Sequence, residues 1–139
     1  MQIPHSPIPK TVLIVEDEPD TAEMLSEMMR LSGYAALQAY GGRSALAMLQ
    51  STPPDAIILD VTLPDISGLE VLIAIRRDPR FETLPVVLVS GNSRPSDIQA
   101  GIVAGASRYL TKPVDFWQLK ETLDSLTKRK TNKPIVPPD

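Results

Sequence analysis

Five short apolar runs punctuate the chain: Thr11–Val15, Tyr34–Tyr40, Ala56–Asp60, Pro85–Ser90 and Ser107–Thr111. The first, third and fourth are rich in Val, Ile and Leu, and all five are bounded by turn formers, which predicts strands, with Tyr34–Tyr40 a weaker one. Between them, apolar residues recur at helical spacing. From Pro19 to Ser32, the residues Ala22, Leu25, Met29 and Ser32 share one helical face, with Met24, Met28 and Leu31 beside it, and Gly33 supplies the stop. Gly41-Gly42 opens a second helix to about Gln50, with Ala45, Leu46 and Leu49 as its stripe, ended by Pro53-Pro54. A third begins at Ser67 or Gly68 and runs through Asp78, with Leu69, Leu72, Ile73 and Ile75 expected to face inward. The fourth spans about Ser96 to Ala104 and contains Gly101, which either weakens it into a movable element or permits close packing. The last spans about Asp115 to Thr127, with Phe116, Leu119, Leu123 and Leu126 as its core stripe.

Strand and helix alternate five times with short connections. This predicts an α/β fold: a five-stranded parallel sheet covered by helices on both faces. Periodicity alone leaves the strand order open. Residues 1–10 carry three prolines and no periodicity and are expected to form a flexible arm, 11–127 the domain, and 128–139 a basic, proline-rich tail or linker.

Each apolar run but the second ends in a chemically active side chain. The first gives Glu16 and Asp17, the third Asp60, the fourth Ser90 and the fifth Lys112. Singly, these have ordinary explanations: an acidic pair ahead of a helix, a loop serine, a surface lysine. Jointly they occupy the carboxyl ends of parallel strands, where ligands bind in open α/β sheets.

Composition narrows the chemistry. At 139 residues with 42% apolar and 22% charged content, the chain can bury a core as one domain. It has no cysteine, and its only histidine is His5 in the N-terminal arm, so thiol chemistry, a histidine metal site and a Ser-His-Asp triad have nothing to build on. The first ten residues do not form a signal peptide and no apolar run could span a membrane, so a cytoplasmic protein is expected. The net charge of −3 is uneven: Lys128, Arg129, Lys130 and Lys133 against Asp139 give residues 128–139 a net +3, leaving −6 on the rest. An acidic body is not expected to bind nucleic acid directly.

Three converging carboxylates repel one another, and one pKa is expected to rise unless a cation neutralises them. Oxygen-only ligands favour a hard ion, Mg²⁺ or Mn²⁺. An Asp carboxylate beside such an ion can attack phosphorus, while a Lys ammonium and a Ser hydroxyl steady the phosphoryl oxygens. With Val15-Glu16-Asp17, the Ile58-Leu59-Asp60-Val61-Thr62-Leu63-Pro64-Asp65-Ile66-Ser67-Gly68 stretch, Ser90 and Lys112-Pro113, the sequence resembles the receiver domains of two-component response regulators (CheY-like) over about residues 11–127. The resemblance implies a flavodoxin-like fold with strand order 2-1-3-4-5. It implies Asp60 as phosphoacceptor, and Asp17, Glu16, Asp60 and the Thr62 backbone carbonyl around Mg²⁺. Ser90 and Lys112 would contact the phosphoryl group, Tyr109 would report the switch, and Lys112-Pro113 would be cis. It also implies a sensor histidine kinase or histidine phosphotransfer protein as donor. The face of the fourth helix, fifth strand and fifth helix would then act on a downstream protein or a fused output domain.

Two other chemistries fit less well. A haloacid-dehalogenase-type phosphatase needs a second Asp two residues after the nucleophile, where this chain has Thr62. A nucleotide- or flavin-binding module needs a phosphate cradle after the first strand, where this chain has Glu16-Asp17-Glu18.

Overall fold

The structure, a computed structural model, describes residues 8–128. The proposed arm and tail therefore lie largely outside the described residues, as does His5. The strands are β1 (Thr11–Val15), β2 (Ala35–Ala39), β3 (Ala56–Asp60), β4 (Val86–Ser90) and β5 (Arg108–Thr111). They form one sheet in the order β2-β1-β3-β4-β5, with every pairing parallel. The helices are α1 (Pro19–Leu31), α2 (Gly42–Ser51), α3 (Gly68–Arg77), α4 (Pro95–Ala104) and α5 (Phe116–Leu126).

Alternation along the strands feeds two cores. Leu13, Val15, Ile57, Leu59, Val86 and Leu88 point to the face covered by α2 and α3, where Ala45, Leu49, Val71, Leu72 and Ile75 meet them. Val12, Ile14, Ile58, Val87 and Val89 point to the opposite face, against Leu25 and Met29 of α1 and Leu119 and Leu123 of α5. β3 and β4 are buried along their whole length, as the unbroken apolar runs require.

Three features depart from the sequence reading. Asp78 ends α3 and then caps a single 3-10 turn, Pro79–Phe81, that no periodicity signalled. The inward face of α3 is Gly68, Val71, Leu72 and Ile75, whereas Ile73 is 40% exposed. Spacing of three and four from Gly68 turns Ile73 away from the sheet. Away from the rim formed by the strand ends, Asp124 is buried on α5, accepting from the Tyr34 hydroxyl and, at 2.7 Å, from Lys120 Nζ.

Two contacts fix the loop after β3. Asp65 accepts from the N–H groups of Gly42 and Arg43 at 2.8 and 2.9 Å, so the β3–α3 loop caps α2. Those two bonds, Arg43's first, pull its carboxyl down to about 2. At Gly68, an added Cβ would lie 2.2 Å from the Asp60 carbonyl oxygen and 2.8 Å from Val61 Cα. The start of α3 thus rests directly on the backbone that carries Asp60. Gly68→Ala is expected to destabilise the domain by about 2–3 kcal/mol through overpacking, measured by urea denaturation; a loss within error of zero would show that the loop relaxes freely.

Candidate functional site

Parallel strand direction brings the side chains that end β1, β3, β4 and β5 to one rim. Glu16 and Asp17 leave β1 beside Asp60, which ends the adjacent β3. One oxygen from each of Glu16, Asp17 and Asp60 lies within 4.8 Å of the others. Glu16 is 2% and Asp60 7% exposed, while Asp17 is open to solvent. Lys112, just beyond β5, donates to Asp60 Oδ2 at 2.9 Å and to Glu16 Oε1 at 3.3 Å. The Lys112-Pro113 peptide is cis. Asp60 Oδ1 accepts from the Thr62 N–H at 3.0 Å.

The charges do not balance, and the proton resolves the conflict. Burial, then the neighbouring Asp60, pushes the Glu16 carboxyl up to about 8. Burial also raises Asp60, but hydrogen bonds from protonated Glu16, Lys112 and the Thr62 N–H outweigh it and hold Asp60 below the ordinary Asp range. Burial lowers Lys112, but its bond to Asp60 and the two carboxylate charges outweigh that and raise it. The ionised carboxylate of the pair is therefore Asp60.

The residues suit a hard divalent cation. Glu16 Oε2 is buried without a hydrogen-bond donor facing it. Such an atom lacks a positive partner, and the surrounding donors are all oxygen. A cation among Glu16, Asp17 and Asp60 would satisfy that oxygen and displace the Glu16 proton.

Ser90 and Tyr109 lie on the side of the rim toward α4. Together with Val61, Thr62, Leu69, Asn92 and Asp97 they line a cavity of about 110 Å³. Ser90 Oγ accepts from the Asn92 N–H at 3.0 Å, and the Tyr109 hydroxyl donates to the Asn92 carbonyl at 2.7 Å. Asn92 is thus held from two sides. Sequence reading placed it only in a loop, although a Gly-Asn-Ser run after a strand signals a side-chain-stabilised turn. Gly101 of α4 serves close packing: an added Cβ would lie 2.8 Å from Leu88 and 3.0 Å from Tyr109. Trp117 packs edge-on against Phe116 at 5.1 Å between ring centroids. Among the described residues no helix is long and apolar enough to cross a membrane.

Comparison with known proteins agrees with this geometry. The family model described as the response regulator receiver domain matches residues 12–124. The chain is 40% identical over 121 residues to a Mycobacterium tuberculosis protein named "Probable transcriptional regulatory protein TcrX", covering 87% of this chain and 51% of that one. It is 36% identical over 126 residues to a Vibrio cholerae serotype O1 protein named "Probable cyclic di-GMP phosphodiesterase", covering 91% of this chain and 28% of that one. The chain thus spans about half of the first relative and under a third of the second. The structure of chemotaxis protein CheY4 from Vibrio cholerae superposes with a TM-score of 0.81 at 31% identity, covering 86% of this chain and 99% of that one. The rim of carboxylates, the strand order and the matched residues together establish that the chain belongs to the response regulator receiver domain family of two-component systems.

Proposed function

We propose that the domain is a Mg²⁺-dependent phosphoacceptor switch in which Asp60 takes a phosphoryl group from a phosphohistidine donor. The observation that carries this reading is the state of Asp60. It is buried, ionised, and oriented by Lys112 on one oxygen and the Thr62 N–H on the other. A carboxylate oxygen of Asp60 attacks phosphorus, the P–N bond breaks, and the histidine imidazole leaves with the electron pair. Mg²⁺, for which Mn²⁺ can substitute, supplies charge neutralisation for the phosphoryl oxygens when bound. Glu16, Asp17, Asp60 and the Thr62 carbonyl would hold it. Lys112 pairs with the incoming negative charge, and Ser90 donates its hydroxyl proton to a phosphoryl oxygen, giving up its present contact with Asn92.

Phosphorylation adds roughly −1.5 to −2 charges to this rim. Ser90 and Tyr109 both hold Asn92, so a shift of Ser90 loosens the β4–α4 loop and changes the setting of Tyr109. The face of α4, β5 and α5 then differs between the two states. Moving such an equilibrium from 1:99 to 99:1 requires about 5.5 kcal/mol of differential stabilisation, so a partner that prefers the phosphorylated face completes the switch.

The donor is a sensor histidine kinase or a histidine phosphotransfer protein, and the output is a downstream protein or a fused domain. Relatives named for transcriptional regulation and for cyclic di-GMP hydrolysis illustrate the range of such outputs. Thr62 stands where an external phosphatase would need its acid, which supports a signalling role for the phosphoryl group in a cytoplasmic, non-enzymatic domain. The acidic body speaks against direct nucleic-acid binding, and the described helices against a membrane span.

Incubation with phosphoramidate and Mg²⁺ is expected to give one acid-labile phosphoryl group, absent in Asp60→Asn; equal labelling of that variant would remove Asp60 as acceptor. Lys112→Ala is expected to retain Mg²⁺ binding but to lose the Trp117 fluorescence change on phosphorylation, whereas an undiminished change would sever Lys112 from the switch.

The protonation of Glu16 adds a pH dependence with a definite sign. Between its ordinary value of 4.5 and about 8, the metal-free native state holds a proton that the unfolded state has lost. Glu16 therefore lowers stability as pH rises through that window. Mg²⁺ binding expels the proton, so affinity should rise by up to about tenfold per pH unit there. Calorimetry in buffers of different ionisation enthalpy should detect nearly one proton released at pH 7, and none in Glu16→Gln. Proton release unaffected by that substitution would assign the linkage to another group.

A further inference from the structure

α3 and α4 enclose an apolar groove at the edge of the core on their face of the sheet, against which its Leu69 and Ala104 pack. Its volume is about 520 Å³, and Leu69, Ile73 and Arg77 of α3 face Val103 and Ala104 of α4 across it. Val103 is 75% exposed and Ile73 40%, both unusual for residues that cost solvation when left open. Arg76 sets the groove's end. Its Nε donates to the Gly105 carbonyl at 2.9 Å and its Nη1 to the Phe81 carbonyl at 2.8 Å, tying the end of α3 to the turn after α4. The groove is therefore preformed at that end.

We propose that this groove is the docking site for an amphipathic helix of a partner protein, with a carboxylate flanking the helix's apolar stripe. Charge complementarity selects the carboxylate. The charged residues lining the groove are both arginines, Arg76 is spent on carbonyls, and Arg77 has no ion pair or side-chain hydrogen bond among the described residues. The walls select a helix. Both are helices, whose backbone groups are already paired, so an extended peptide would gain no main-chain bonds there. A third helix laid between two parallel ridges buries an apolar stripe without that loss. A second copy of the chain is a poor occupant, because a two-fold contact centred on Arg77 sets it against its own counterpart.

The position of the groove gives such a partner access to the switch. Leu69 lines both the groove and the small cavity beside Ser90 and Tyr109. One wall, α3, sits on the Asp60 backbone through Gly68; the other, α4, sits on Tyr109 through Gly101. The purpose of docking rests on the signalling reading above, but the docking geometry does not.

The test uses two synthetic helical peptides of about 16 residues with the same leucine stripe, one flanked by Glu and the other by Lys. Fluorescence anisotropy is measured with the full chain and with Asp60→Asn, so failure to accept phosphate leaves the binding result readable. The Glu peptide is expected to bind at least about tenfold tighter than the Lys peptide, and Arg77→Glu to reverse that order. Val103→Glu should weaken binding of the Glu peptide by about tenfold or more, with an unchanged melting temperature, since Val103 supports no core. Equal binding of the two peptides, or binding insensitive to Val103→Glu, would overturn the proposal. So would a concentration-dependent dimer that Val103→Glu dissolves, because the occupant would then be a second copy.

Discussion

One ammonium stands against three carboxylates at the carboxyl end of the sheet, and much of the structure serves to hold that imbalance. Lys112 reaches two of the three, and the deficit shows as a proton retained on Glu16 and an oxygen with no donor. Exposed carboxylates would meet this crowding by turning into water. Glu16 and Asp60 cannot, because the strands that carry them are buried up to their last residues. The crowding is thus fixed where an added charge would change it most.

Holding the rim requires that its backbone does not yield. β1 and β3 are neighbours, so Glu16 and Asp60 are separated by one strand spacing rather than by a loop. The loop that follows Asp60 is pinned twice: Asp65 spans to the first amides of α2, and α3 closes onto the Asp60 carbonyl because residue 68 has no side chain. On the other side, the Lys112 N–H donates to the Ser90 carbonyl at 2.8 Å, so the lysine and the serine move as one piece of sheet.

The parts legible in the sequence are those where one residue contradicts its surroundings. A carboxylate or ammonium at the end of an apolar run declares the strand, its end and the rim at once, which is why Glu16, Asp17, Asp60, Ser90 and Lys112 could be named. The contacts that pin the rim were not legible. Asp65 looks like any loop acid until α2 is folded beside it, and Gly68 looks like a helix start until the β3 carbonyl is 2.2 Å from its missing Cβ. Ile73 misled because a stripe of leucine and isoleucine fills more than one face of α3. Only the packed sheet decides that Val71 goes inward and Ile73 outward.

The same contacts identify the element most free to answer a change at the rim. Side chains accept from the first amides of α1, α3 and α5 through Glu18, Ser67 and Asp115, and Asp65 does the same for α2. α4 has no such bond at its N-terminal cap. It is seated chiefly by contact, through a glycine against Leu88 and Tyr109, and it exposes Ile102 and Val103 to solvent. Its link to the end of β4 passes through the loop held at Asn92 by Ser90 and Tyr109. A helix without a side-chain cap, with few buried apolar side chains of its own, opens at lower free energy than its neighbours. A change at the rim would thus meet α4 at its N-terminal end through the bonds at Asn92, with Arg76 holding the turn after its C-terminal end, whereas moving α2 or α3 would require the pinned β3–α3 loop to give way.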